Sequence, residues 1–509
     1  MCLLHLIPLT LIFSLAASFG GGIELEFTAL SSRMFPRGEA KGFAFWDDVL
    51  YVAAGRNGIL RFDISHRDKP SFLGYASVGT NVTRLLTGKD RLAASGPKGQ
   101  VWMFEFSGSP ALKRIASTHV AGLEHMALWR GGIVVFGAGK VTFLMRSGPV
   151  LKERWSIKFP ERVAGLQALG RQLVITIRDE GYRILEFDDG HPKVKGAVVT
   201  HRGLQYFHVA GKCAFVVLGK DRVQGIDWPV SSAGSETSPR VEPENLEPVE
   251  AGEDRLEPAA LELGSEVIRV CDAGDGKVIV ISKDGIASLL RYAGPIEGVE
   301  KLADMPSQTS LVAQLDERTF AAGFESSISI LAMQKNENLS RVSSISLSPG
   351  SESFALDGAR FKTDPRGVHI DGIEKSTAPE QLNRKLPKVW ARRGDFYFEA
   401  KGASVLVYER RPKQASSYLG SIHCNIGPPA QLAYRGDTPM KKLGSKAEGF
   451  LLAASERGAA TFRVKWSWRP TAYEFDAAEK KVDMREIRFL DGGRDINSLG
   501  YRGITDPNL

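Results

Sequence analysis

Short apolar runs separated by glycine-containing turns recur along most of the sequence. In Val49–Ser65, "VLYVAAGRNGILRFDIS", two such runs flank the turn Gly55–Gly58. Apolar and polar residues alternate with the two-residue period of a strand in several of these runs, and β-branched and aromatic residues are frequent. The pattern predicts two antiparallel strands joined by a tight turn.

The same unit recurs at a nearly constant spacing, which predicts the fold class. The first four intervals between its second strands are 42, 41, 40 and 42 residues. A four-stranded sheet buries both faces only by stacking against neighbours, so this period is typical of a β-propeller blade. We predict an all-β chain, a β-propeller of four-stranded blades with seven to nine blades; a β-sandwich is the alternative. The second strands begin near Leu50, Leu92, Ile133, Leu173, Phe215, Val278, Phe320, Phe396 and Leu451.

Two long intervals interrupt the repeat and suggest a domain organisation. Residues 21–230 are assigned to blades 1–5, and 231–264 to an acidic, Pro/Glu-rich insertion between blades. Residues 265–350 are assigned to further blades. Residues 351–388 are either a degenerate blade near Val368 or a basic insertion, and 389–509 hold the final blades and the ring closure.

Blade number and ring closure stay open at this level. The nine units form either one large ring or a ring of seven or eight blades with a flanking β-element. The segment "MREIRFLDGG" after Asp483 is expected to pair with the N-terminal "IELEFTAL" and close the ring.

The first unit, Ala40–Tyr75, resembles the LVIVD repeat of secreted bacterial and archaeal proteins. The matching features are its "LYVA" strand, the Asn57-Gly58 turn, the "ILRFDIS" strand and a proline shortly before "FLGY". Later units keep the strand spacing but lack the terminal Asp-Ile-Ser. The resemblance implies a propeller and export, and it implies no particular activity.

The N-terminus predicts export. An apolar run from Leu6 to Ala17, followed by small residues, is typical of a signal peptide in residues 1–20, although no Lys or Arg precedes it. A retained anchor or a misplaced start is the alternative. The run is shorter than the roughly 20 residues that span a bilayer, so no transmembrane segment is expected. The predicted location is periplasmic, extracellular or at the cell surface.

Cysteine usage limits the chemistry of the mature chain. Only Cys213, Cys271 and Cys424 follow the apolar run, without any Cys-x-x-Cys spacing. They form either one Cys213–Cys271 bridge or, as we prefer, three buried thiols. We expect no cofactor and no metal ion.

The charge distribution favours a protein or anionic polymer as partner. The net charge is +7, yet Glu236–Glu262 holds nine carboxylates against two arginines. No Lys/Arg stripe alternates with aromatic residues, which argues against nucleic acid. We therefore expect a protein or an anionic cell-surface polymer as the partner.

The sequence carries no familiar catalytic signature. It lacks a Gly-x-Ser-x-Gly elbow, a His-Glu-x-x-His motif and a Walker-type phosphate loop. This favours an exported, non-enzymatic scaffold that binds a protein or a surface. A propeller enzyme or a carbohydrate-binding protein with a ligand site in the central funnel is the alternative.

Five polar residues are candidates for that funnel. Each precedes the second strand of its unit by the offset expected of the innermost strand, which lines the centre of a propeller. A histidine beside a carboxylate suits acid–base or ligand-binding roles. The competing interpretation is that these are ordinary packed or solvated side chains, and no catalytic residue is assigned. The candidates are Arg84, Glu124, His125, Tyr206 and His208.

Overall fold

A computed structural model describes residues 23–468 except for 77–80, 107–111, 160–161, 189–190, 195–202, 229–259, 275, 296, 336, 349, 373–388, 411–415 and 439–444. All elements within this part are β-strands. The chain divides into two compact units, one formed by Pro36–Ser348 and the other by Met1–Phe35 with Pro349–Leu509. We call them the seven-sheet unit and the three-sheet unit. The first strand, β1 (Ile23–Met34), belongs to the three-sheet unit.

The seven-sheet unit is built from seven groups of four antiparallel strands that follow one another in the chain, and we number them as sheets I to VII. Sheets II and III are joined into one eight-stranded sheet by a single parallel pair, Val150 opposite Ser117. Sheets I and II contain β2 (Gly42–Trp46), β3 (Val49–Ala53), β4 (Ile59–Asp63), β5 (Ser71–Ala76), β6 (Arg84–Thr87), β7 (Arg91–Ser95), β8 (Gln100–Phe106) and β9 (Leu112–His119). Sheets III and IV contain β10 (Leu123–Trp129), β11 (Gly132–Gly137), β12 (Lys140–Ser147), β13 (Val150–Lys158), β14 (Val163–Leu169), β15 (Gln172–Ile177), β16 (Gly181–Asp188) and β17 (His191–Val194). Sheets V to VII contain β18 (Leu204–Ala210), β19 (Cys213–Leu218), β20 (Arg222–Asp227), β21 (Leu261–Glu262), β22 (Val267–Asp272), β23 (Lys277–Ser282), β24 (Ala287–Gly294), β25 (Gly298–Asp304), β26 (Leu311–Asp316), β27 (Thr319–Phe324), β28 (Ser327–Met333) and β29 (Leu339–Ser346).

These seven sheets close on themselves through their first strands. The first strands of successive sheets contact one another, and β26 of sheet VII contacts β2 of sheet I. Stacking around a ring gives each sheet two apolar partners, as a propeller requires. The predicted all-β propeller fold is confirmed.

Separate apolar clusters fill the spaces between neighbouring sheets. Leu50 and Phe62 of sheet I pack with Ile330 of sheet VII, whereas Tyr51 packs with Trp102 of sheet II. Alternate residues of β3 therefore face opposite neighbours. The run "VLYVA" is apolar throughout because all five of its residues are buried.

The turn after β3 and the end of β4 are architectural. Gly58 adopts φ of 79°, a conformation that favours glycine, and its carbonyl accepts a hydrogen bond from Ala54 N at 2.9 Å. Asp63 Oδ1 accepts from Ser65 N at 2.9 Å, and this hydrogen bond lowers the pKa of Asp63. The Asp-Ile-Ser motif thus closes a local turn.

The acidic insertion belongs to one sheet, which corrects the expectation that it separates two blades. Its described flanks are β20 and β21, the third and fourth strands of sheet V, and Arg222 pairs with Glu262 between them. Residues 229–259 lie outside the described part. The spacing alone was misleading because the fourth strand, β21, is only two residues long.

The three-sheet unit contains sheets VIII, IX and X. Their strands are β30 (Ser353–Leu356), β31 (Ala359–Asp364), β32 (Gly367–Ile370), β33 (Trp390–Arg393), β34 (Phe396–Lys401), β35 (Ser404–Glu409), β36 (Ser417–His423), β37 (Pro429–Gly436), β38 (Lys446–Ser455) and β39 (Gly458–Trp468). Sheet X also includes β1 and packs against sheet IX on one face and sheet VIII on the other. The possible degenerate blade near Val368 is therefore a three-stranded sheet in its described part.

The N-terminal strand of the described chain pairs with its last strand. Strand β1 pairs with β39, from Ile23 opposite Trp468 to Met34 opposite Gly458. The predicted partner segment, "MREIRFLDGG", lies outside the described residues. Buried apolar residues such as Val464 alternate along β39, and Phe27 lies directly opposite Val464. This pairing completes sheet X, whereas the seven-sheet ring closes without the N-terminal strand.

Candidate functional site

One position on the first strand is equivalent in all seven sheets of the ring. Its residue pairs with the fifth residue of the second strand, so the seven positions share one register. We call this set the inner-strand layer. Its members are Gly42, Arg84, His125, Gly165, Tyr206, Arg269 and Leu311.

A β-bulge precedes the layer position in sheets III to VI. The pairing of the first strand skips one residue there, and bulges redirect the neighbouring side chains. The skipped residues are Glu124, Ala164, Gln205 and Ile268. Four successive sheets thus share the same local distortion beside the layer.

Layer side chains donate hydrogen bonds to bulge carbonyls of the following sheet. Arg84 Nη1 donates to the carbonyl oxygen of Glu124, which joins sheet II to sheet III. Tyr206 Oη donates to the carbonyl oxygen of Ile268 at 2.8 Å, which joins sheet V to sheet VI. These contacts fix the position of both side chains.

All five residues predicted for the funnel lie on first strands. Arg84, His125 and Tyr206 occupy the layer, Glu124 is the bulge residue before His125, and His208 lies two residues beyond Tyr206. The structure brings Arg84, Glu124 and His125 together across sheets II and III. Their role in binding a ligand stays a prediction.

Two arginines that sequence reasoning missed complete the group. Arg269 is the layer residue of sheet VI, and Arg178 directly follows β15 of sheet IV. Both are exposed. Arg269 precedes Val278 by the same spacing at which the selected Tyr206 precedes Phe215, so the sequence signal for Arg269 was present.

The charged side chains of this group influence one another. Desolvation by the surrounding protein is the main cause that lowers the pKa of Arg84, and the like charge of Arg269 lowers it further. Burial, with the nearby charges of Arg84 and Arg178, lowers the pKa of His125 to about 4, so this ring is neutral at pH 7. Burial raises the pKa of Tyr206, against the opposing influence of Arg178 and Arg269.

His208 lies in a different environment from the other candidates. Burial lowers its pKa, while the carboxylate of Asp272 acts in the opposite direction. Its Nε2 atom is buried and has no hydrogen-bond partner among the described residues. His208 therefore stands apart from the arginine group.

The three cysteines are free thiols, as preferred from the sequence, but only Cys213 and Cys424 are buried, whereas Cys271 is half-buried. Burial is the main cause that raises the pKa of Cys213 and Cys271 to about 11, and that of Cys424 to about 12. A thiol with so high a pKa is protonated at neutral pH and a poor nucleophile.

Metal ligands and membrane spans were sought among the described residues. No group of three or more His, Cys, Asp or Glu side chains there is arranged to hold a metal ion. Within the same part of the chain, no helix has the length and apolar character needed to cross a bilayer.

Structural comparison finds distant similarity to solved β-propeller proteins. Hsv2 of Kluyveromyces lactis matches 62% of this chain and 100% of its own at 10% identity, with a TM-score of 0.41. BamB of Moraxella catarrhalis matches 69% and 99% at 13% identity, with a TM-score of 0.38. PorZ, an essential surface component of the type-IX secretion system of Porphyromonas gingivalis, matches 86% and 65% at 10% identity, with a TM-score of 0.43. Because these sequence identities and TM-scores are low, the fold assignment rests on the sheet order described above.

No protein-family model matches the chain, and no curated protein matches it significantly. The resemblance of Ala40–Tyr75 to the LVIVD repeat thus gains no support from these comparisons.

Proposed function

We propose that this chain is an exported β-propeller that acts as a non-enzymatic binding scaffold for a protein or an anionic cell-surface polymer. The observation that carries the proposal is the convergence of Arg84, Arg178 and Arg269 at one end of the seven-sheet ring. An exposed cluster of unneutralised cations attracts anionic partners by long-range steering.

The three arginines lie at the same end because of strand direction. In an antiparallel sheet, the start of the first strand and the end of the second strand lie together. Arg84 begins β6, Arg269 lies near the start of β22, and Arg178 follows the end of β15. We call this end of the ring the upper mouth.

Arg178 and Arg269 form no ion pair among the described residues. Carboxylates lie at the same end of the ring, since Glu124 precedes a layer residue and Asp179 directly follows Arg178. Asp179 Oδ1 accepts a hydrogen bond from Gln205 Nε2 at 3.3 Å. The guanidinium groups of Arg178 and Arg269 are therefore the unpaired cations that the upper mouth presents to an anion.

The same side chains give less support for a catalytic function. His125 is neutral at pH 7 with a pKa of about 4, and Cys213 is a protonated thiol with a pKa of about 11. An efficient acid–base group has a pKa near the working pH. The alternative of an enzyme or carbohydrate-binding protein that uses the funnel is tested by the same variants.

Retention on immobilised dextran sulfate tests the scaffold proposal. The double variant Arg178→Gln/Arg269→Gln removes two positive charges at the upper mouth. The control Arg114→Gln/Arg154→Gln removes two exposed charges from the fourth strands β9 and β13. We expect the mouth variant to elute at lower salt than the control. Equal elution of the two variants, or no retention of the wild type, contradicts the proposal.

Export is tested separately with residues 1–22 fused to a reporter enzyme that is active only outside the cytoplasm. The signal-like run and the LVIVD resemblance support this part of the proposal. We expect reporter activity, and its loss when Leu11 and Phe13 are both replaced by Asp. An inactive fusion contradicts export.

A further inference from the structure

We infer that the inner-strand layer, together with Arg178, forms a site for one oxyanion group at the upper mouth. Its ligand class is a carboxylate, sulfate or phosphate ester. The inference deepens the proposed function and rests on it, since the scaffold needs only a general attraction for anionic partners. A discrete site additionally requires donors fixed around one position.

The shared register places the donors at one level of the ring. Arg84 and Arg269 are both layer residues, in sheets II and VI. Three sheets separate these two on one side and two sheets on the other. Both arginines therefore lie at the same mouth of the ring, and the like charge of Arg269 lowers the pKa of Arg84.

Arg84 is held in position and still has unused hydrogen-bond donors. Guanidinium carries five N–H donors, and the one contact with the Glu124 carbonyl uses only one nitrogen, Nη1. A planar guanidinium fixed in this way suits a planar or tetrahedral oxyanion, which accepts two parallel hydrogen bonds from it. Arg269 forms no hydrogen bond or ion pair among the described residues, so its donors are free.

The other layer residues shape the site without adding charge. Tyr206 Oη already donates to the Ile268 carbonyl, and the His125 ring is hydrogen-bonded to the backbone of Val163. Gly42 and Gly165 carry no side chain at this level, and a Cβ atom on Gly42 would lie 3.2 Å from Arg84 Cα, so Gly42 permits the close approach of β2 and β6. The positive charge of the site thus comes from arginine, and the carboxylate of Glu124 near Arg84 opposes it.

The two described flanks of the acidic insertion lie at different ends of sheet V. Strand β20 ends at Asp227, opposite Cys213 and far from the upper mouth. Strand β21 pairs with the first two residues of β20, with Leu261 opposite Val223, and so returns toward the upper mouth.

Calorimetric titration with sodium sulfate tests the site, because sulfate keeps its charge between pH 5 and 8. We expect saturable 1:1 binding to the full chain, and binding at least about tenfold weaker in Arg269→Gln, since a hydrogen bond to a charged group contributes about that factor. Arg154→Gln is the matched control and should bind like the wild type. Unfolding temperatures establish that the exposed Arg269→Gln variant is folded.

A sulfated tetrasaccharide in a second titration distinguishes a free anion from an anionic group on a larger molecule. Sulfate binding that depends on Arg269 supports a site for a free oxyanion. Tetrasaccharide binding alone, with the same dependence, supports an oxyanion carried on a polymer. Equal affinity of wild type and Arg269→Gln for both ligands, or no binding of either, overturns the site.

These outcomes separate the inference from the proposed function. Wild-type retention on dextran sulfate that is lost in the double mouth variant, without binding of sulfate or tetrasaccharide, overturns the oxyanion site and leaves the scaffold. Saturable sulfate binding without retention of the wild type on dextran sulfate supports the site and contradicts the polymer-binding scaffold.

Discussion

Arg84 and Tyr206 each combine two roles at the scale of single residues. Each donates a hydrogen bond to a bulge carbonyl in the next sheet. Arg84 belongs to the arginine group of the upper mouth, and Tyr206 lies beside that group. A side chain fixed by the fold loses little conformational entropy when it binds a ligand. The residues that join the sheets are therefore suitable ligand contacts.

The depressed pKa of His125 predicts a loss of stability in acid. Its folded pKa is about 4, against an ordinary value of 6.5, so between these values the unfolded chain binds a proton that the folded chain does not. The free energy of unfolding therefore falls as the pH decreases from 6.5 to 4, by up to about 3 kcal/mol. In His125→Gln this fall should be smaller.

Urea unfolding at pH 7.0 and 4.5 measures the effect. The exposed His119 provides the matched control, His119→Gln, which should behave like the wild type. The lowered pKa of His208 acts in the same direction, so some acid sensitivity should remain in His125→Gln. An unchanged difference between the two pH values in His125→Gln refutes the assignment.

At the scale of elements, the second strands carry much of the packing because both of their faces are buried. Their apolar runs and the Asn57-Gly58 turn were readable from sequence, since both depend on local chemistry. The bulges and the shared register were not readable, because they depend on pairing between strands. Arg269 could have been found, since its spacing from Val278 equals that of Tyr206 from Phe215.

The packing of β3 predicts a large effect of a single truncation. Leu50 is fully buried between sheets I and VII, so Leu50→Ala should lower the free energy of unfolding by about 2–5 kcal/mol. Ile286, 47% exposed, is the control, and Ile286→Ala should change it by about 0.5 kcal/mol or less. Denaturant unfolding of both variants checks this; equal losses would argue against burial of β3 on both faces.

At the scale of the whole molecule, the seven-sheet unit is inserted after the first strand of the three-sheet unit. The repeat period predicted the sheets but left open whether they form one large ring or a smaller ring with a flanking β-element, because the period reflects strand spacing and not which sheets pack together. Strand β1 lies at one end of the chain, and its partner β39 is more than 400 residues away. Only tertiary packing specifies such a pair.

Removal of β1 tests this division. Residues 1–34 supply the edge strand of sheet X, so a chain that begins at Phe35 should lose hydrogen-exchange protection in β37 to β39. The seven-sheet ring closes through β26 and β2, so its amides should keep their protection. Loss of protection throughout the ring would contradict independent closure.

The central claim is that the upper mouth of the ring binds an anion, and a crystal of the full chain soaked in selenate tests it most directly. Selenate mimics sulfate and is located by its anomalous signal. We expect a peak within hydrogen-bond distance of the guanidinium groups of Arg84 and Arg269. Peaks only at other surfaces, such as the control position Arg154, with none at the upper mouth, would contradict it.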